Sequence, residues 1–401
     1  MAPATLNRPT RLLLNLGHTF DHMFLLIFAT AVSAIAADFG FARWEDLMPY
    51  STGAFLLFGI GSLPAGRLGD LWGRRAMMIV FFVGIGCASL LAALTQNAWQ
   101  MAAALTLVGA FSAIYHPVGI PMLLAATDRP GITIGINGLA GNLGLAAAAL
   151  ITGFFVQLGG WRMAFVAPGV VSIALGWYFA RVAPAEIEAP GRRPVAAGGL
   201  ARATLIRVFI VMTLTAITGS LLFNLTTNGN AELLRERMQG VVEEPALLGA
   251  LLAAVYVVAA FSQIVVGRLI DRFPVKPLYL CIVLCQAPLL ALSAHLEGWP
   301  FYALTIGFMI VIFGSIPFVE GVSVRYVDDR IRSRVSGMRL AVSFGVSSFA
   351  VWLLGPAVKS AGFDALLLGM AAVSLCTAAF VTLLPPAPAP ARATPGDGKQ
   401  A

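Results

Sequence analysis

Three ionisable side chains, His18, Asp21 and His22, interrupt the apolar run from Leu12 to Ala37. Their i, i+3, i+4 spacing puts them on one face of a helix. Histidine exchanges its proton near neutral pH, and a carboxylate beside it can pair with the charged imidazole. The trio therefore has the chemistry of a proton site, able to load and unload as its surroundings change. A fourth candidate, His116, sits in Tyr115-His116-Pro117 within another apolar run. At helical rise His18 lies about 10 Å in from Arg11 and His116 about 12 Å from Leu124, so the two share a depth. Ionisable groups at such depth are costly and mark function by default. The structural alternative is a static hydrogen-bonded knot tying two helices together.

The same residues admit a metal reading. His18 and His22 have zinc-ligand spacing, but Thr19 stands where the His-Glu-x-x-His motif of metalloproteases needs its glutamate. Cys281 and Cys285, four apart, could face one way as ligands, or simply fill apolar space. Elsewhere, Asn224 and Asn228 share a helix face and can bind polar groups of a solute or bond between helices. Glu320 and Arg339 can pair across a bundle or reach separately to the membrane interface. Pro117 and Pro121 in one run, and Pro317 in another, each remove a backbone donor and predict bends that line a cavity. Gly135, Gly138, Gly141 and Gly144 form a small-residue stripe, expected to pack closely against the eighth helix.

The elements that must position these groups are membrane helices. Residues AVILMFWYC make up 59% of the 401-residue chain and charged residues only 11%, outside the range of soluble domains. A hydrocarbon core of about 30 Å needs about 20 apolar residues per helix. Twelve stretches qualify: 11–37, 47–69, 75–95, 98–124, 131–157, 161–181, 204–229, 246–269, 276–296, 299–321, 334–357 and 361–384. Residues 1–181 and 204–384 are thus predicted as two six-helix bundles. Between them 182–203, with Pro184, Pro190 and Pro194, reads as a cytoplasmic linker. The Pro- and Ala-rich stretch 385–401 reads as a disordered cytoplasmic tail. The run Leu12–Ala37 is too long and too polar for a cleaved signal peptide.

Cations fix the orientation. With the N-terminus inside, 21 of the 26 Lys and Arg fall on the inner side, and only Arg43, Arg162, Arg235, Arg237 and Lys359 outside. The positive-inside rule then places both termini in the cytoplasm and accounts for the net +7 without any nucleic-acid partner.

A short motif occurs twice. Gly66-Arg67-Leu68-Gly69-Asp70 reappears as Gly267-Arg268-Leu269-Ile270-Asp271, 201 residues on (267 − 66), half the chain length. Each copy closes an apolar run and precedes cations: Arg74 and Arg75, then Arg272 and Lys276. A charged loop recurring in two apolar halves points to a duplicated bundle, the plan of secondary transporters with their site between the repeats.

Gly66-Arg67-Leu68-Gly69-Asp70-Leu71-Trp72-Gly73-Arg74-Arg75 resembles the loop 2–3 signature of the major facilitator superfamily, G-x-L-a-D-r-x-G-r-r, with Leu71 departing from the usual cation. The second copy keeps Gly267, Leu269, Asp271 and Arg272 but has Pro274 for the second glycine. Trp161-Arg162-Met163-Ala164-Phe165 also looks like a sequence of that family. The resemblance covers nearly the whole chain. It implies twelve helices, a central cavity lined by helices 1, 4, 7 and 10, and a monomer. It also implies a latch on the cytoplasmic side, carried here onto Gly66, Asp70 and Arg74, with Asp271 as the second-copy equivalent. Gly17-His18 with Asp21, and Tyr115-His116-Pro117, further resemble the fosmidomycin-resistance branch of efflux carriers. The helix 5 antiporter signature G-x-x-x-G-P-x-x-G-G is not kept, since the glycine stripe carries Asn142 and no proline.

The expectation is therefore an all-α, multi-pass protein of the cell inner membrane, not an enzyme and without cofactor. It moves a small solute by alternating access, coupled to protons through His18, Asp21, His22 and His116. Export of a drug or small organic anion comes first, because of the fosmidomycin-like features; proton-coupled metabolite uptake follows. Copper transport is a third reading, although helix 7 offers Met212 alone and helix 8 neither Met nor His. A receptor that kept the fold without turnover is a fourth. No ATP-binding P-loop occurs in the sequence, so an ion gradient or the solute's own gradient is the expected energy source.

Overall fold

The structure, a computed structural model, describes residues 6–125, 127, 130–184, 202–326 and 329–385. Within its helices the side chains of 130–131, 202–203, 205, 319–326, 329–341 and 344 lie outside the described set. Among the described residues all regular structure is helical. The first half contains α1 (Arg8–Asp38), α2 (Thr52–Ile60), α3 (Ser62–Trp72), α4 (Arg74–Ala93), α5 (Ala98–Ser112), α6 (Ile120–Ala125), α7 (Pro130–Leu158) and α8 (Trp161–Val182). The second contains α9 (Arg202–Arg237), α10 (Pro245–Arg272), α11 (Val275–Ser293), α12 (Gly298–Tyr326) and α13 (Asp329–Thr382).

Among the described residues ten helical stretches are long and apolar enough to cross a membrane. Two further crossings come from how the chain bends. α2 and α3, each too short alone, follow one another across Gly61 as one span. α13, at 54 residues, is two helices joined at Gly362, whose φ of 75° lies in the left-handed region that a Cβ disfavours. Its end returns to the face where the chain begins: Arg207 donates to the Leu383 carbonyl, and Lys276 donates to those of Thr382 and Leu384. The turn itself lies at the other face, where Arg237 at the end of α9 pairs with Asp364. The result is twelve spans.

Helix ends follow local chemistry. Asn7 caps α1 by accepting from the Thr10 amide at 2.8 Å, and Asn97 caps α5 by accepting from that of Gln100 at 3.0 Å. Large apolar side chains such as Leu63, Leu94 and Trp99 are exposed on the outside, whereas Phe24, Phe82, Tyr115, Tyr256 and Phe308 are buried inside. Such an outer surface suits lipid and not water. The molecule is a multi-pass membrane protein.

Two expectations about bends part company. The span carrying Pro117 and Pro121 leaves the α-helix after Ser112 and forms one π turn, Tyr115–Gly119, before α6. α12 instead runs unbroken through Pro317. Two prolines four residues apart disrupt successive turns, whereas one costs a single backbone bond that a long helix tolerates.

We call the side bearing the start of α1 the terminal face. There Asn7 donates to the Val182 carbonyl and Arg75 donates to those of Ala180 and Ala183. Asp70 lies two residues before the end of α3 and Asp271 one before the end of α10, both at this face. At the opposite face the halves meet. Lys359 pairs with Asp46 at 2.5 Å, Arg235 donates to Ser33 Oγ at 2.8 Å, and the Trp44 and Phe363 rings stack at 6.0 Å.

Candidate functional site

α1 delivers His18, Asp21 and His22, and the π turn delivers His116; the four side chains form one box. His116 Nε2 lies 3.4 Å from Asp21 Oδ2, and His22 Nε2 lies 3.1 Å from His18 Nε2. One ligand-capable atom from each of the four falls within 4.8 Å of all the others. Asp21 is fully buried, and neither of its oxygens has a hydrogen-bond partner among the described residues. His116 Nε2, also enclosed, faces it without hydrogen-bond alignment. A single π turn shifts the helix register and sets consecutive Tyr115 and His116 toward α1, a use typical of π-bulges at functional sites.

The box is held from behind by uncharged groups. His18 Nδ1 lies 2.7 Å from the Asn137 carbonyl oxygen, to which it must donate. That leaves His18 Nε2 as the acceptor for a proton donated by His22. The Tyr115 ring stacks on His18 at 4.8 Å, its hydroxyl donates to the Leu14 carbonyl, and the Asn137 amide donates to Tyr115 Oη and Asn15 Oδ1. Gly141 makes room for the imidazole: a Cβ there would come within 2.6 Å of His18 Cε1. At Gly144 a Cβ would lie 2.3 Å from the Thr19 carbonyl oxygen. Within the stripe, Gly141 and Gly144 therefore pack α7 against α1 and not against the eighth span as expected. Only Gly138 approaches α10, with Gln263 Oε1 at 3.9 Å from its notional Cβ. The i, i+3 pattern marks a close-packing face but cannot name the partner.

The box opens on a cavity of about 390 Å³ between the halves, within the usual range for small-molecule sites. His18, His22 and His116 line it on one side, and α9 lines the other. Asn224 and Asn228 both face it but differ. The Asn224 amide donates to Ser347 Oγ and the Ser220 carbonyl, both at 2.9 Å, tying α9 to α13. Asn228 donates only along its own helix, to the Asn224 carbonyl at 3.0 Å, and its Oδ1 has no partner. Glu320 and Arg339 lie in α12 and α13, but their side chains lie outside the described residues, as do most of the linker and the tail. Met212 packs in an apolar cluster with Val208 and Val275, away from the cavity lining. Cys281 and Cys285 are exposed on α11.

The loop motif touches the same π turn. A Cβ at Gly66 would lie 3.3 Å from Pro117, and one at Gly69 3.0 Å from Val118, so α3 rests directly on the segment carrying His116. Asp70 and Asp271 are both exposed, and among the described residues Asp70 makes no ion pair. Among the described residues Asp70 pairs with neither Arg74 nor Arg75: Arg75 is engaged by carbonyls at the end of α8, and Arg74 Nη1 is enclosed without a hydrogen-bond partner.

Sequence reasoning did not single out Asn15, Asn137 and Ser347, because asparagine and serine in an apolar run carry no spacing signal. Asp46 and Lys359 were visible only as charges, since nothing in the sequence says that residues 313 positions apart meet.

Twelve spans enclosing a cavity between two halves, closed at one membrane face, define a membrane carrier. The sequence profile of the Major Facilitator Superfamily matches residues 14–234, more than half of the chain, and the chain belongs to that superfamily of secondary transporters. Relatives include the probable actinorhodin transporter of Streptomyces coelicolor, 28% identical over 151 residues, 36% of this chain. The tetracenomycin C resistance and export protein of Streptomyces glaucescens is 30% identical over 184 residues, 44% of this chain. These matches span only 26% and 34% of the relatives' own lengths. The multidrug resistance protein MdtG of Dickeya zeae is 23% identical over 81% of this chain and 80% of its own. Among solved structures, an inward-facing bacterial homologue of the human lysosomal transporter Spinster has a TM-score of 0.76 at 17% identity, covering 93% of this chain and 96% of its own. The xylose transporter XylE of E. coli, inward open, has the same TM-score at 14% identity, covering 94% and 96%. At those identities the likeness concerns the fold.

Proposed function

We propose that this transporter exports a small, mainly apolar solute in exchange for protons taken up at the box of His18, Asp21, His22 and His116. One observation carries the reading: a fully buried carboxylate, Asp21, whose near neighbour is a cavity-facing imidazole, His116, at 3.4 Å. An isolated buried carboxylate is poorly solvated, so it is stable either protonated or beside a cationic partner. The groups facing it are His18 and His22 from α1, and His116 with the Tyr115 hydroxyl from the π turn. α7 contributes only the uncharged Asn137 and Asn142. A proton entering from the cavity reaches Asp21, which does not itself line it, through the imidazoles that do, of which His116 lies 3.4 Å from the carboxylate.

The spacing of the box would also suit a divalent ion, but full burial of Asp21 behind the imidazoles that line the cavity favours the smallest cation. Export is supported by the names of relatives that speak of export and resistance. The bodies that rock are taken as 1–181 and 204–384, with the terminal face cytoplasmic and the opposite face closed by Asp46, Lys359 and Arg235. The chain would work as a monomer in a cell inner membrane.

Proteoliposomes test this, with tetracenomycin C as the first probe. An imposed pH gradient should drive its accumulation, a protonophore should abolish that, and Asp21→Asn should remove it. Accumulation indifferent to collapse of the gradient would overturn the reading.

A further inference from the structure

The cavity wall contains amides that the protein leaves unused. Asn142, on α7 and 7% exposed, makes no hydrogen bond among the described residues. Asn228, on α9 and 3% exposed, has an unpartnered Oδ1. Gln263, on α10, has an enclosed Nε2 without a partner. A buried amide normally finds partners, because desolvating it without a new hydrogen bond is unfavourable. Asn224 shows the satisfied case beside them. The unsatisfied amides come from both halves, the arrangement a carrier needs if a bound solute is to bridge the parts that move.

Two further features narrow the solute. Among the described residues lining the cavity none is Asp, Glu, Lys or Arg. Among these described lining residues a charged solute would find no opposite fixed charge except a protonated histidine. Phe55, Phe58, Phe223 and Tyr279 also line it, offering ring faces on which a flat molecule can stack.

We propose that the cavity takes an uncharged planar solute bearing a hydrogen-bond donor beside an acceptor on one edge, as in an amide, lactam or imide. Asn142, Asn228 and Gln263 read that edge. This deepens the proposed function, resting on the cavity as the solute site. It departs from the organic anion expected from the sequence.

Binding to the detergent-purified full chain tests it without transport. The probe is naphthalimide, a fluorescent neutral tricycle with an imide edge. N-methylnaphthalimide lacks the donor, and naphthalene dicarboxylate replaces the edge with charge. The imide should bind about tenfold tighter than its methylated form, the usual effect of one unmade buried hydrogen bond. In Asn142→Leu and Asn228→Leu that ratio should fall to about one while the methylated form keeps its affinity, because Asn228 Oδ1 is an unpartnered acceptor for the imide N–H. Equal affinities in the unmodified chain, tighter binding of the dicarboxylate, no binding of either imide, or an unchanged ratio in both variants would each overturn the proposal. The first three outcomes need no variant to fold. All four leave the exporter reading standing, which fails instead if the imide preference is present but gradient-driven transport is absent.

Discussion

His116 Nε2 stands 3.4 Å from Asp21 Oδ2, joining the π turn of the fourth span to a carboxylate that solvent does not reach. α3 rests on the same turn through Gly66 and Gly69. The loop motif and the imidazole beside Asp21 are therefore in direct mechanical contact, and under the proposed function this contact would link the terminal face to the proton site.

Replacing Asp21 by Asn keeps the shape and removes the charge. Gradient-driven accumulation in proteoliposomes should be lost, while solute counterflow persists, because exchange need not release the proton. His116→Gln, which removes the imidazole beside Asp21, should likewise lower gradient-driven accumulation. Both variants behaving as the unmodified chain would reduce the box to a structural tie.

Gly141→Ala introduces a methyl 2.6 Å from His18 Cε1 on a helix packed against α1 along its length. Overpacking of this kind typically costs about 1–3 kcal/mol. A lower melting temperature and weakened proton coupling should appear together. Gly135→Ala, where nothing lies within 4 Å of the notional Cβ, is the control and should leave both unchanged.

Asp70 is exposed and makes no ion pair among the described residues, so Asp70→Asn should not lower thermal stability. If Asp70 latches the terminal face in another state of the cycle, transport should fall at normal membrane abundance. Unaltered flux would leave Asp70 an interfacial role only.

Asp46 and Lys359 meet at 2.5 Å across the closed face. Asp46→Cys with Lys359→Cys, in a chain whose native Cys87, Cys281, Cys285 and Cys376 are replaced by alanine, should be bridged by a short bis-methanethiosulfonate, which spans the length of the lost lysine side chain. Transport should stop and return on reduction. Full activity in the crosslinked protein would show that this face need not open.

Local rules were enough for the helices and for which residues are exceptional. A span needs only about 20 apolar residues, so the twelve crossings were legible, and His18, Asp21 and His22 fell on one face because helical periodicity puts them there. The motif at Gly66 and Gly267 points to a duplicated plan by repetition alone. Tertiary structure decided who meets whom. A helix presents all its faces in one sequence, and nothing local says which face a neighbour covers: Gly141 and Gly144 looked the same whether α7 turned them to α10 or to α1. Asn224 and Asn228 likewise read as equals until Ser347, from a distant span, bonded one, while the Oδ1 of the other has no partner among the described residues. Two prolines four residues apart became a π turn while Pro317 left α12 intact, because a lost backbone bond matters only when its neighbours are weakened too. The box itself needed His116 brought to Asp21 across 95 residues of chain (116 − 21), a contact that packing alone could fix.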